Sequence, residues 1–184
     1  MTGARFASLA ALVLALGGCP LTSDIPLSDP AAARPDSRLI GSWKTQDPET
    51  GEWNALTILR FNDHEMVAFA PDGTSGKVDA FRVFPTDIGA ESFLNFQQLG
   101  GDDKDGDAEG WSFARYRIAG DRLRLSIVDD GLFENRQFAS WSELQEFFRQ
   151  HLTDPRLYAA EGDQPTESVW ERVREHAGAS ESKS

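Results

Sequence analysis

Cysteine is almost missing from this chain: Cys19 is the only one in 184 residues. Without a second thiol there is no intramolecular disulfide, so packing must hold the fold together. Histidine is scarce too. His64, His151 and His176 share no H-x-H or H-x-x-H spacing, which excludes a local zinc motif. A membrane-crossing helix needs roughly 20 consecutive apolar residues, and the apolar run from Phe6 to Leu16 falls well short of that. Basic residues are outnumbered, with 18 Lys and Arg against 30 Asp and Glu, a net charge of −12. Such a surface repels phosphates and argues against a nucleic-acid partner. The G-x-S-x-G, G-x-x-x-x-G-K and G-x-G-x-x-G patterns are missing as well, so neither a nucleophile elbow nor a phosphate-cradling loop is in view. Asp129-Asp130 reads as a strand end rather than an acid/base pair. The expectation is a protein without catalysis, cofactor or resident metal.

What the N-terminus does contain is ordered. Arg5 precedes the apolar run, and Leu16-Gly17-Gly18-Cys19 closes it with small residues and the lone cysteine. This order resembles a bacterial lipobox. The resemblance implies that residues 1–18 are a lipoprotein signal peptide and that Cys19 is lipidated and becomes the new N-terminus. Each buried methylene contributes about 0.8 kcal/mol, so two or three acyl chains would anchor the protein permanently. The processed chain would carry 17 basic and 30 acidic residues, a net charge of −13. The anchor, not surface electrostatics, would then hold the membrane. Pro20 stands where lipoproteins retained in the inner membrane have aspartate. The expected location is therefore the outer membrane, facing the periplasm.

Residues 19–37 contain Pro20, Pro26, Pro30 and Pro35 among Ser, Asp and Ala, a composition that predicts a flexible tether. The competing reading lays this stretch on the domain surface. One domain is expected over 38–175, followed by a small, polar tail over 176–184. Short apolar segments separated by turn residues predict an antiparallel all-β domain. The strands are expected near Leu39–Thr45, Ala55–Phe61, Met66–Ala70, Val78–Phe84, Phe93–Gln98, Phe113–Ile118, Leu123–Val128 and Val169–Val173. The clearest alternation is Leu123, Leu125 and Ile127 against Arg122, Arg124 and Ser126. Ser140 with Glu143 forms a capping box. Trp141, Leu144, Phe147, Phe148 and Leu152 then recur at helical spacing up to Asp154-Pro155. That aromatic stripe either packs on the sheet or docks a partner protein.

Gly41-Ser42-Trp43, at the start of the first strand, resembles the G-x-W signature that opens lipocalin and related calycin barrels. The resemblance implies an eight-stranded lipocalin-like β-barrel with one α-helix in its C-terminal half. It also implies that Trp43 closes the barrel floor under an arginine from the end of the chain, Arg172 or Arg174. The expected function is binding of a small apolar or amphipathic molecule inside the barrel. Arg60, Arg82, Arg115 and Arg117 are the candidates to hold its carboxylate or phosphate. The alternative is an envelope interaction module with a solid core, since Phe61, Phe69, Phe81, Phe84, Phe93, Phe96 and Phe113 are bulky enough to fill a small barrel. The acidic loop Gly101 to Gly110 invites a calcium reading. Its register fails, because Gly106 as the loop glycine places Ser112 where a bidentate glutamate is needed.

Overall fold

A computed structural model describes residues 21–47, 50–71, 77–100, 110–133, 136–161 and 164–174. Its centre is a closed antiparallel barrel in which each strand pairs with the next in sequence from β1 to β7, and the last strand closes the ring. The strands are β1 Gly41–Gln46, β2 Trp53–Arg60, β3 Met66–Pro71, β4 Val78–Ile88, β5 Glu91–Leu99, β6 Ser112–Ala119, β7 Arg122–Ile127 and β10 Ser168–Arg172. Between β7 and β10 come helix α1, Trp141–His151, and a two-residue hairpin, β8 Ala160–Glu161 with β9 Gln164–Pro165. This is the expected all-β, lipocalin-like architecture.

Alternation decides what each strand buries. Trp43, Leu56, Ile58, Met66, Ala68, Phe81, Val83, Leu94, Phe96, Ala114, Tyr116, Leu123, Leu125, Ile127 and Trp170 form one buried cluster inside the ring. A second cluster lies on the outer face of β4, β5 and β6. There Phe84, Ile88, Phe93 and Phe113 meet Leu144, Phe147 and Phe148 of α1. Phe148 stands edge-on to both Phe93 and Phe113, with centroids 5.3 and 5.6 Å away. The seven phenylalanines expected inside the barrel are therefore divided. Phe81 and Phe96 are internal; Phe84, Phe93 and Phe113 are buried outside it; Phe69 is half-buried and Phe61 exposed. An apolar residue on a strand covered on both faces gives no sign of which face it takes.

The helix forms where its cap predicts. Ser140 Oγ accepts the Glu143 backbone N–H at 3.3 Å, and the Glu143 carboxylate accepts the Ala139 N–H at 3.0 Å. Its stripe packs on the sheet, with Leu144, Phe147 and Phe148 buried and only Trp141, at the start, left exposed.

The expected tether over 19–37 is corrected for the part described: residues 21–35 are a strap laid along the barrel wall. Leu27 is fully buried, and Leu21 and Ala33 nearly so. Ser23 exchanges backbone hydrogen bonds with Trp111 at 2.8 and 2.6 Å. The Leu27 N–H reaches Asn95 Oδ1 at 2.7 Å, and Gln145 Nε2 donates to the Leu27 carbonyl at 2.6 Å. The ordered domain therefore starts by residue 21, not 38. Its apolar residues here are spaced too widely to show a period, and its prolines have no N–H to give, so the Leu27 N–H held by Asn95 is one of the few backbone donors that fix it.

The barrel ends differ. At the floor, residues 36–40 enter β1, and the β2–β3, β4–β5 and β6–β7 turns close the strands. The other end, the rim, carries the β1–β2, β3–β4 and β5–β6 connections. The strap runs from rim to floor, from Ser23 beside Trp111 to Ala33, whose carbonyl meets His64 of the β2–β3 turn.

Asn95 is fully buried and binds three groups: the Leu27 N–H, the Phe84 carbonyl at 3.1 Å and Thr86 Oγ1 at 2.9 Å. Replacing it with alanine removes the side-chain partner of the Leu27 N–H and the Phe84 carbonyl and leaves Thr86 only its bond to Ser28. Asn95→Ala should cost about 3 kcal/mol in denaturant unfolding and expose the strap to proteolysis before the barrel; unchanged strap protection would contradict this role.

Candidate functional site

The floor is built around Trp43. Its ring is fully buried, its indole N–H donates to the Leu39 carbonyl at 2.8 Å, and it lies directly across from Arg172 in the β1–β10 register. The Arg172 guanidinium lies 4.1 Å from the centroid of the ring and donates to the Ile40 carbonyl at 2.8 Å and the Arg38 carbonyl at 2.6 Å. Of the two arginines expected near the floor, Arg172 covers the tryptophan. Arg174 points outward and pairs with Asp121. Gly41 makes room for this arrangement: its φ is +138°, and a Cβ there would come within 2.5 Å of Arg172 Nη1.

The four arginines proposed to hold a ligand inside the barrel do not join the interior cluster. Arg60 turns to the β2–β3 turn, bonding the Asn62 carbonyl at 3.1 Å and Asp63 at 3.0 Å. Arg82 lies on the outer face between Glu65 and the Trp111 ring. Arg115 sits 4.2 Å over Tyr158, and Arg117 is 2.7 Å from Glu91. Arg82, Arg115 and Arg117 follow the outward parity of their strands; Arg60 has the inward parity of Leu56 and Ile58 but stands at the end of β2, exposed, with its guanidinium on the turn. The apolar cluster inside the ring is packed, each of its buried side chains keeping only 0–6 % of its surface accessible, while Thr45, Asn54, Asp79 and Gln98 on the same face toward the rim are half-buried.

His64 and His151 lie apart, the first against the Ala33 carbonyl and the second stacked on Phe147. Asp129, two residues past the end of β7, accepts the Gly131 N–H and caps the short turn that follows. Cys19, His176 and nearly all of the acidic loop, residues 101–109, lie outside the described residues.

A concavity of ligand size lies at the barrel floor, lined by Pro85, Asp87, Ser92 and Tyr116 on the face that Leu94 shares, and by Ser28, Thr86 and Gln145 on the outer side. A groove of about 510 Å³ lies between the strap, the end of β4, the start of β5 and α1. Asp36 is its centre of charge. Arg38 grips the Asp36 carboxylate in a fork, at 3.0 and 2.8 Å, and the Tyr116 hydroxyl donates to it at 3.2 Å. Burial pushes the Asp36 carboxyl up, but the Arg38 hydrogen bonds and charge together pull it further down, below the usual carboxylate value. Burial, reinforced by Asp36, pushes the Tyr116 hydroxyl well up, so it stays a neutral donor. Ser28 and Thr86 bond at 2.6 Å, and Ser92 donates to Asp87 at 2.6 Å. Arg34 also lines the groove and has no ion pair among the described residues. Pro85, Ala32 and Ala33 supply apolar walls. This set offers one unsatisfied guanidinium, neutral donors and acceptors, and apolar surface, which suits an anion carrying an apolar body. The sequence lists Arg34 only within the supposed tether, so the groove could not be found without the docked strap.

No family model matches the chain, and no curated protein or solved structure matches it either.

Two outcomes follow from this geometry. Gly41→Ala should destabilise the domain by about 2 kcal/mol, because both the backbone angle and the Arg172 contact resist a side chain; a wild-type unfolding midpoint would contradict it. Asp36 is held below its unfolded value, so its stabilising contribution is present at neutral pH and is lost as pH falls through the folded value. Acid titration of unfolding stability should therefore show a smaller loss below the usual carboxylate range in Asp36→Asn than in the native protein.

Proposed function

We propose that this is a non-catalytic envelope lipoprotein, anchored through lipid on Cys19, whose filled lipocalin-like barrel is a scaffold. Its site for a small anionic amphipathic molecule is the floor groove beside Arg34. The observation that carries this reading is the pairing of a packed apolar cluster inside the ring with a groove of about 510 Å³ at the floor. That volume lies within the usual range for small-ligand sites, roughly 300–1,000 Å³. The order of charge, apolar run and small residues before Cys19 supports the anchor, and Pro20 supports the outer membrane facing the periplasm. The solid interior also supports a second reading, an interaction module that docks another protein.

Cys19→Ser should leave precursor without acyl mass. Native mass spectrometry of protein purified from membranes, followed by solvent extraction, should find a bound anionic amphiphile. Arg34→Ala should lower its affinity about tenfold, the effect of losing one charge-assisted hydrogen bond, and so reduce the bound fraction. Ala68→Met, inside the barrel, should reduce stability and leave occupancy unchanged. A bare protein mass favours protein docking, while occupancy lost only in Ala68→Met returns the site to the interior.

A further inference from the structure

Two arginines and two aspartates line the floor groove, so its charged groups sum to zero. Arg38 and Asp36 satisfy each other through their fork at 3.0 and 2.8 Å. Arg34 and Asp87 remain. Both are exposed, neither makes an ion pair among the described residues, and they stand on different walls. Arg34 comes from the strap, next to the buried Ala33 whose carbonyl meets His64. Asp87 comes from β4, opposite Ser92 in the β4–β5 register.

Asp87 is oriented for a donor. Ser92 Oγ bonds its Oδ1 at 2.6 Å, while Oδ2 has no hydrogen bond among the described residues. Ser92 is in turn opposite Tyr116, whose hydroxyl donates to Asp36 at 3.2 Å. A line of polar groups therefore crosses the floor from the paired carboxylate to the unpaired one.

A ligand that is only an anion meets two penalties here. At long range it is repelled by a chain of net charge −12, and at short range its charge shares the groove with an uncompensated Asp87. A molecule that also carries a protonated amine avoids both, being neutral at a distance and complementary to each unpaired group on contact.

We propose that the ligand of the floor groove is a zwitterion: a small apolar body bearing an acidic group, bound by Arg34, and a primary ammonium, bound by Asp87. This rests on the groove being the binding site and narrows it, because the anion becomes one half of the ligand's charge. Pro85, Ala32 and Ala33 meet the apolar body, and the ammonium donates to the open oxygen of Asp87. An aliphatic α-amino acid and an ethanolamine phosphate headgroup share this chemistry.

The test titrates the full chain, purified from membranes, by calorimetry with two pairs of water-soluble probes: 2-aminohexanoate against hexanoate, and glycerophosphoethanolamine against glycerophosphoglycerol. In at least one pair the amine-bearing probe should bind about tenfold tighter. A preference in the first pair marks a carboxylate ligand; one in the second marks a headgroup phosphate. Asp87→Asn should weaken the preferred probe about tenfold and tighten its amine-free partner, opposite changes that misfolding cannot produce. A preference that survives Asp87→Asn overturns the assignment of the ammonium. Equal affinity within both pairs, weakened throughout by Arg34→Ala, overturns the zwitterion and leaves an anion groove standing. Binding of no probe, or binding that Arg34→Ala leaves unchanged, overturns the groove and the zwitterion together.

Discussion

The central constraint in this molecule is that β5 is buried on both faces. Phe93, Leu94, Asn95 and Phe96 follow one another without an exposed side chain, so half of them need a cover outside the barrel. Each large apolar side chain buried there contributes roughly 1.5–3 kcal/mol, which is enough to hold both α1 and the strap in place. Asn95 is the exception in that wall, and it fixes the strap's register because a buried amide must find its partners. From this follow the direction of the strap, the position of the helix and the groove that lies between them.

Closure of the ring depends on a weaker seam. β1 and β10 share only two paired positions, Trp43 with Arg172 and Lys44 with Glu171, against nine between β4 and β5. The seam is reinforced from the side: Thr45 Oγ1 bonds the Val169 carbonyl at 2.8 Å, and the Val173 N–H bonds the Ser42 carbonyl at 2.8 Å. Arg172 adds two more bonds to the chain entering β1. A lysine has one point charge rather than a planar fork and cannot span both carbonyls while lying over an indole. The floor arginine thus joins the last strand to the first.

Most of the fold was legible because the barrel strands announce themselves locally. Leu123, Leu125 and Ile127 alternate with polar residues, and they face inward as alternation requires. Ser140 and Glu143 mark the helix start to the residue. What stayed hidden depended on contacts distant in sequence. Pro85 suggests a strand end, yet β4 continues to Ile88. It does so because β3 stops pairing at Val83, so the proline lies where only β5 needs a partner. The strap's Leu21, Leu27 and Ala33 match the outer face of β5 and β6, which the local sequence around them cannot reveal. For the same reason Arg34, inside a supposed tether, gave no sign of lining a groove, while Arg82, Arg115 and Arg117 drew attention on strands whose parity turns them outward.

A small barrel filled by Trp43, Trp170, Tyr116, Phe81 and Phe96 has no room to evolve a large internal site without losing much of its core. Concavity has to be made elsewhere, and laying a segment against a convex wall is the simplest way to make it. The groove has one wall from the strap, one from β4 and β5 and one contribution from Gln145 of α1, so it exists only while the strap is docked. Asn95 beneath the strap therefore governs the groove without lining it. Stability of the outer cover and shape of the candidate site are the same physical quantity here, set by the packing of residues 21–35 on one face of the sheet.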